Sequence, residues 1–293
     1  MSGVGANDRL GRLKTRGRPV LHRLLFLAQH LSLCTVDSPR RPETHLTQML
    51  PDDRAQSDDE GGEYSDALQA ASHQGQIDAA RTLLEAGVSI NDDDSGEFGN
   101  ALQAAAHGGH IEIVRLLLQH GADVNAQGGL YGNALFAASH QGHLDIAQLL
   151  LDEGADADAQ SGNLGTALFA ASHGGYLDIV RRLLDEGASV DAQGGLALQA
   201  ASHEGHLDIV QLLLEKGADV NARGGFHGNS LQAACRGGHV KIVQRLLEKG
   251  ADVNARGGFY GSALRAASER GHTDIVHMLE KQQRDTNAPL AIG

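Results

Sequence analysis

One stretch constrains this 293-residue chain more than any other. Ala101 to Asn133, ALQAAAHGGHIEIVRLLLQHGADVNAQGGLYGN, recurs along most of its length. Aligned copies start at Ala67, Ala101, Ala134, Ala167, Ala197, Ser230 and Ala263, at spacings of 34, 33, 33, 30, 33 and 33 residues. A fixed period of this size marks a solenoid of stacked units rather than a globule around one centre.

Each copy predicts the same local structure. Asn100, Asn133, Thr166, Asn229 and Ser262 precede a run of small apolar residues. Their side-chain oxygens suit them to accept orphan N–H groups at a helix start. The short helix, such as Ala134 to His140, ends at a glycine such as Gly142, which tolerates the left-handed conformation of a helix C-terminus. A second helix follows, Leu144 to about Asp152. In the second copy Ile111, Ile113, Val114, Leu116, Leu117 and Leu118 make it too apolar for a lone surface helix, so neighbouring copies must cover it. Leu117, Leu150, Leu184, Leu213 and Leu247 are assigned to that core. Gly121, Gly154, Gly187, Gly217 and Gly250 close the helix, and a turn-rich stretch leads to the next cap.

Gly109-His110-Ile111-Glu112-Ile113-Val114, Gly121-Ala122-Asp123-Val124-Asn125-Ala126 and the 33-residue period resemble the ankyrin repeat family. The resemblance covers residues 61–283. It implies an all-α ankyrin-repeat solenoid of helix–turn–helix units with hairpin-like fingers, and a protein-binding role. Departures are N-A-L-Q, N-A-L-F, N-S-L-Q or S-A-L-R in place of the family's T-P-L-H, and Gly128-Gly129-Leu130-Tyr131-Gly132 at the finger. This dialect is similar to ankyrin arrays of filamentous fungi, often attached to NTPase-type signalling modules. The alternative function it implies is a detached regulatory array of such a protein.

The flanks differ from the repeats. Residues 1–45 hold eight of the 24 Lys/Arg against Asp8, Asp37 and Glu43, leaving 16 basic and 34 acidic residues beyond. Val20, Leu21, Leu24, Leu25, Ala28 and Leu31 share one helical face. The plain reading of residues 1–60 is a basic, then acidic, flexible segment with one weak helix; a mitochondrial targeting segment is the alternative. Gly61-Gly62-Glu63-Tyr64-Ser65-Asp66 matches the finger Gly128 to Asn133, which would make 43–50 a worn second helix capping the array. The connection before the fifth copy is short: Gly194-Gly195-Leu196 runs into Ala197, with Leu196 at the capping position. The array is expected to end near Gln283, with a tail at 284–293.

Composition narrows the function class. A net charge of −13 argues against nucleic acid as a partner. Two cysteines, Cys34 and Cys235, make no disulfide framework and fit a reducing, cytoplasmic setting. No apolar run reaches the ~18 residues of a membrane span. A monomer without cofactor is expected.

Histidine is the tempting chemistry, at 16 residues in two columns. His110, His143, His206, His239 and His272 follow the turn glycine; the family resemblance implies that they bond turn backbone. His73, His107, His140, His173 and His203 end the small-residue helix and would face the concave side. The pairs His107-x-x-His110 and His140-x-x-His143 straddle a helix end and lack the further ligands a metal needs, so no metal site is assigned. Ser72-His73 and its relatives recur in stacked units, whereas an enzyme needs one converged site; no catalytic residue is assigned.

The surface left to a partner is the concave side and the fingers. Arg223, Arg236, Arg256, Arg265 and Arg270 gather towards the C-terminal copies, an expected groove for an acidic segment. Phe98, Tyr131, Leu164, His227 and Tyr260 form a column at the finger tips, with Tyr131 and Tyr260 as candidate anchors. The histidine column, titrating near its ordinary value of ~6.5, is a further candidate for pH-responsive binding.

Overall fold

The computed structural model describes residues 60–91, 98–162 and 164–287. The readings made for residues 1–59, including the targeting segment and the worn helix at 43–50, lie outside them.

Fourteen helices form seven pairs among the described residues. They are α1 (Glu60–His73) and α2 (Ile77–Glu85); α3 (Ala101–Gly108) and α4 (Ile111–Gln119); α5 (Ala134–Gln141) and α6 (Leu144–Asp152); α7 (Ala167–Gly174) and α8 (Leu177–Asp185). The rest are α9 (Ala192–Glu204) and α10 (Leu207–Glu215); α11 (Ser230–Gly237) and α12 (Val240–Glu248); α13 (Ala263–Glu269) and α14 (Thr273–Asn287). The first helices pack on one another as an inner layer, and the second helices form an outer layer behind them. Between pairs, isolated bridges such as Gly128–Gly132, Gly224–Gly228 and Gly257–Gly261 close the fingers.

The predicted caps form. Asn100, Asn133, Thr166, Asn229 and Ser262 accept from the N–H three residues on, at 2.8–3.3 Å. The inner helices approach closely because their contact residues are small: Ala104, Ala105, Ala106, Ala137, Ala138 and Ala171 are all but completely buried.

Three details depart from the sequence reading. Glu63 to Asp66 is not a finger but part of α1, which runs unbroken from Glu60. α14 continues past Gln283 to Asn287. In the eighth and twelfth helices the core leucines are Leu183 and Leu246, each fully buried, while Leu184 and Leu247 are only partly buried. Leu183 and Leu246 stand 33 residues after Leu150 and Leu213, at the repeat position of Leu117, and Leu184 and Leu247 lie about 100° further round the helix.

Two further contacts knit the copies together. Three inner-layer glutamines reach the finger that follows their own copy: Gln69 Nε2 donates to Gly99 O at 3.3 Å, Gln103 Nε2 to Ala126 O and Gly132 O at 3.1 Å, and the Gln232 amide nitrogen to Gly257 O at 3.1 Å, whereas Gln199 Nε2 donates to Gly194 O, before its own copy, at 3.2 Å. Asn91, Asn125 and Asn221 each hold the next copy's loop with both ends of the amide. Asn125, for example, donates to Gly154 O at 3.1 Å and accepts from Asp156 N at 2.8 Å.

The leucine register is directly testable. Leu183→Ala leaves a cavity in a closed core and is expected to cost about 2–5 kcal/mol in urea unfolding. Leu184→Ala should cost clearly less; equal losses would contradict the register.

Candidate functional site

The inner face is built where the C-terminal ends of the first helices meet the fingers. His73, His107, His140, His173 and His203 each stand two residues before a left-handed glycine, so each ring leaves the helix towards the fingers. Finger side chains slot between them. His73 stacks on Phe98 at 4.4 Å between ring centres and lies 5.5 Å from His107. His107 lies 4.5 Å from Tyr131, and Tyr131 5.8 Å from His140. The row resumes past the shortened connection, where His203 stacks on His227 at 4.6 Å. Glu204 joins the two parts: its Oε1 accepts from His203 Nδ1 at 2.7 Å and lies 3.5 Å from His173 Nε2.

This crowding controls charge. Burial, then His73, His140 and His143, push the His107 imidazole down to about 4. Burial, then His203 and Arg236, do the same to His227 against a weaker opposing pull from Glu204. Burial also lowers His140, helped by His173, and lowers His173 against the pull of Glu204. At neutral pH these rings are uncharged, and His107 does not titrate near the ordinary 6.5 that a pH-responsive binder would use. The row is an aromatic surface with polar edges.

The other histidine column serves the stack. His110 Nε2 lies 2.9 Å from His73 O, and His143, His206, His239 and His272 repeat the contact with His107, His173, His203 and Arg236 at 2.8–3.2 Å. A carbonyl only accepts, so each ring carries its proton on Nε2. The two histidines of each spaced pair thus serve different neighbours. Ser72, Ser139, Ser172 and Ser202 are fully enclosed between helices, beyond the reach of a substrate.

The five arginines differ in setting. Arg223 and Arg256 are exposed at the finger bases, next to the bridges Gly224–Gly228 and Gly257–Gly261. Arg236 is half-buried, its guanidinium 5.4 Å from the Phe226 ring centre and 5.8 Å from that of Tyr260. Arg265 pairs with Glu269 at 2.6 Å. It occupies the place that Gln69 and Gln103, which clamp a following finger, hold in earlier copies. Arg270 is exposed at the end of α13.

The finger aromatics correct the sequence reading. Phe98, Tyr131, Leu164 and His227 turn inward and are half-buried, and Tyr260 is buried at 6% exposure. In the last two fingers the residue before it points out: Phe226 and Phe259 are exposed by 54% and 67%. The exposed positions could have been found from the GG-Phe-His and GG-Phe-Tyr dipeptides, where two rings compete for one inward site.

Because the lowered imidazoles bind protons less readily folded than unfolded, their contribution to stability is full above ~6.5 and is lost as pH falls towards 4. The melting temperature should therefore fall between pH 7 and pH 5, and His107→Gln should reduce that fall. An identical pH profile in the variant would contradict the assignment.

Family models described as ankyrin repeats (3 copies) match residues 44–128, 67–163 and 134–224, and one described as ankyrin repeats (many copies) matches 231–280. A solved structure, the human ASB11 ankyrin repeat domain, is 28% identical, with a TM-score of 0.62 over 72% of this chain and 96% of that one. No curated protein sequence matches.

Proposed function

The chain belongs to the ankyrin repeat family, a non-catalytic interaction fold, and from that premise we propose that it is a protein-binding scaffold or adaptor working through its inner face and fingers. The carrying observation is the row of half-buried rings from His73 to His140, resumed from His203 to Tyr260. Tyr260 is buried in the core and Tyr131 packs against it, while the partly exposed faces of the histidines, Phe98 and Tyr131 are surface available to a partner.

Rigid, amphipathic rings suit such a role. They offer large contact area with little conformational entropy to lose, and their polar edges reward a correctly placed hydrogen bond. The outer helices offer less. Their exposed positions carry Glu112, Asp145, Asp178 and Asp208, a solvated acidic face. Among the described residues no helix is long and apolar enough to cross a membrane. The reading is of a monomer in the cytoplasm, in keeping with a buried, unpaired Cys235 whose thiol burial pushes up to about 12.

A photoreactive phenylalanine placed at Tyr131, Phe259 or Lys241 tests which face is used. Tyr131 and Phe259 report on the inner face and fingers; Lys241 is exposed on α12 in the outer layer. Cross-linked protein adducts in cell extract are expected from 131 or 259. Adducts from 241 alone, or from no position, would contradict the proposal.

A further inference from the structure

The fingers change character along the array. Their base residue is Gln127, then Gln160, but Arg223 and Arg256 in the last two; their outward residue is Leu130 in an early finger but Phe226 and Phe259 in the last two. The two phenylalanines form one preassembled element. Their rings stack at 4.9 Å with an 18° interplanar angle, and Phe259 N donates to Phe226 O at 3.0 Å. Tyr260 stands edge-on to both rings, and the Arg236 guanidinium lies over Phe226.

The shortened connection adjoins this element. Gln193, Gly194 and Gly195 all adopt left-handed backbone, with φ of 53°, 75° and 73°. They fold tightly against the next finger's base, where the position of a Cβ on Gly194 would lie 2.6 Å from Arg223 O. With three residues fewer, this connection lacks the tip residues of the other fingers, and Leu196 lies against the Phe226 finger at Gly225. Exposed apolar rings at a rigid, concentrated position mark a contact surface rather than a solvated one.

The surrounding charge selects the occupant. Arg223 and Arg256 make no ion pair among the described residues. The nearby carboxylates are engaged: Glu204 with His203 and His173, Asp219 with Asn221 N, and Asp252 with Asn254 N. Cationic finger bases in a chain of net charge −13 set this patch apart.

We infer that the Phe226–Phe259 ledge docks an acidic linear segment of a partner protein. Its apolar side chain lies on the two rings, and its carboxylates meet Arg223 and Arg256. This names the partner chemistry for the protein-binding reading above and rests on it. Spacing refines the segment. Equivalent residues of neighbouring copies are set ~10 Å apart by helix packing. A polyproline-II chain rises ~3.1 Å per residue with three residues per turn, so acids three residues apart sit on one side at ~9 Å. Arginine suits such carboxylates because its planar fork can bind both oxygens.

The test is fluorescence anisotropy on the full chain at low salt. The probe is a labelled proline-rich decapeptide with glutamates three residues apart and one central phenylalanine. Saturable binding is expected, weakened at least tenfold by Phe226→Ala/Phe259→Ala and by Arg223→Gln/Arg256→Gln, and little changed by Leu130→Ala. A lysine version of the peptide should not bind. All four substituted side chains of the two double variants are largely in solvent, so their melting should stay at the wild-type value, and a melting scan checks this. Equal binding of the lysine peptide, or full binding by either folded double variant, would overturn the inference. Absence of peptide binding while cross-links persist at 131 or 259 would overturn it too, and would leave the protein-binding reading standing. Absence of both would remove both.

Discussion

The contact on which the array depends is a histidine ring seated on a glycine of the preceding copy. Gly109 is left-handed, with φ of 79°, and a Cβ there would lie 2.6 Å from His143 Cε1. Gly75, Gly175, Gly205 and Gly238 seat His110, His206, His239 and His272 in the same way. The glycine has two duties at once: it ends the first helix, and it leaves the space into which the next copy's ring fits. The seated ring then donates to a backbone carbonyl two residues before the preceding copy's left-handed glycine, as His110 does to His73. Each such bond is worth about 1 kcal/mol net, and in a one-dimensional stack these interface terms carry the cooperativity. At one junction Tyr176 takes the histidine's place against Gly142 and Gly174.

That interlock sets the inner face. Because the donating ring and the accepting carbonyl belong to neighbouring copies, the first-helix ends are held in fixed register. His73, His107 and His140 sit at those ends, so they fall into line with the finger rings between them. The same glutamine and asparagine clamps that fix the loops fix the fingers, so the exposed Phe226 and Phe259 stand on an ordered base. The second histidine column binds backbone, and the first lies half-buried among the finger rings.

Much of this was legible because it is periodic. The caps, the helix pairs and the backbone-binding histidines repeat at one spacing, and each is a local chemical need that sequence records directly. What was not legible depends on contacts between copies. The enclosed leucines are not among these cases: Leu183 and Leu246 lie 33 residues after Leu150 and Leu213, so the period itself picks them over Leu184 and Leu247. Tyr260 reads as a fingertip anchor, yet the single inward site of its finger takes it and leaves Phe259 outside. Arg265 reads as part of a cationic groove, yet it pairs with Glu269 on its own helix. Gly61 to Asp66 aligns with a finger position by position but lies within α1. Gln69, Gln103 and Gln232 hold the fingers that follow them, a support that sequence similarity alone does not reveal.

The most direct test of the seat compares Gly109→Ala with Gly121→Ala in urea unfolding. Both glycines are left-handed, with φ of 79° and 89°, so both substitutions bear the ~1–2 kcal/mol backbone cost of that conformation. Only at Gly109 would the new methyl meet the next copy's histidine; at Gly121 it meets nothing within 4 Å. Gly109→Ala should be the more destabilising by at least about 1 kcal/mol, the net worth of the bond its displaced ring would lose. Equal losses at the two positions would contradict the view that histidine on glycine holds the array together.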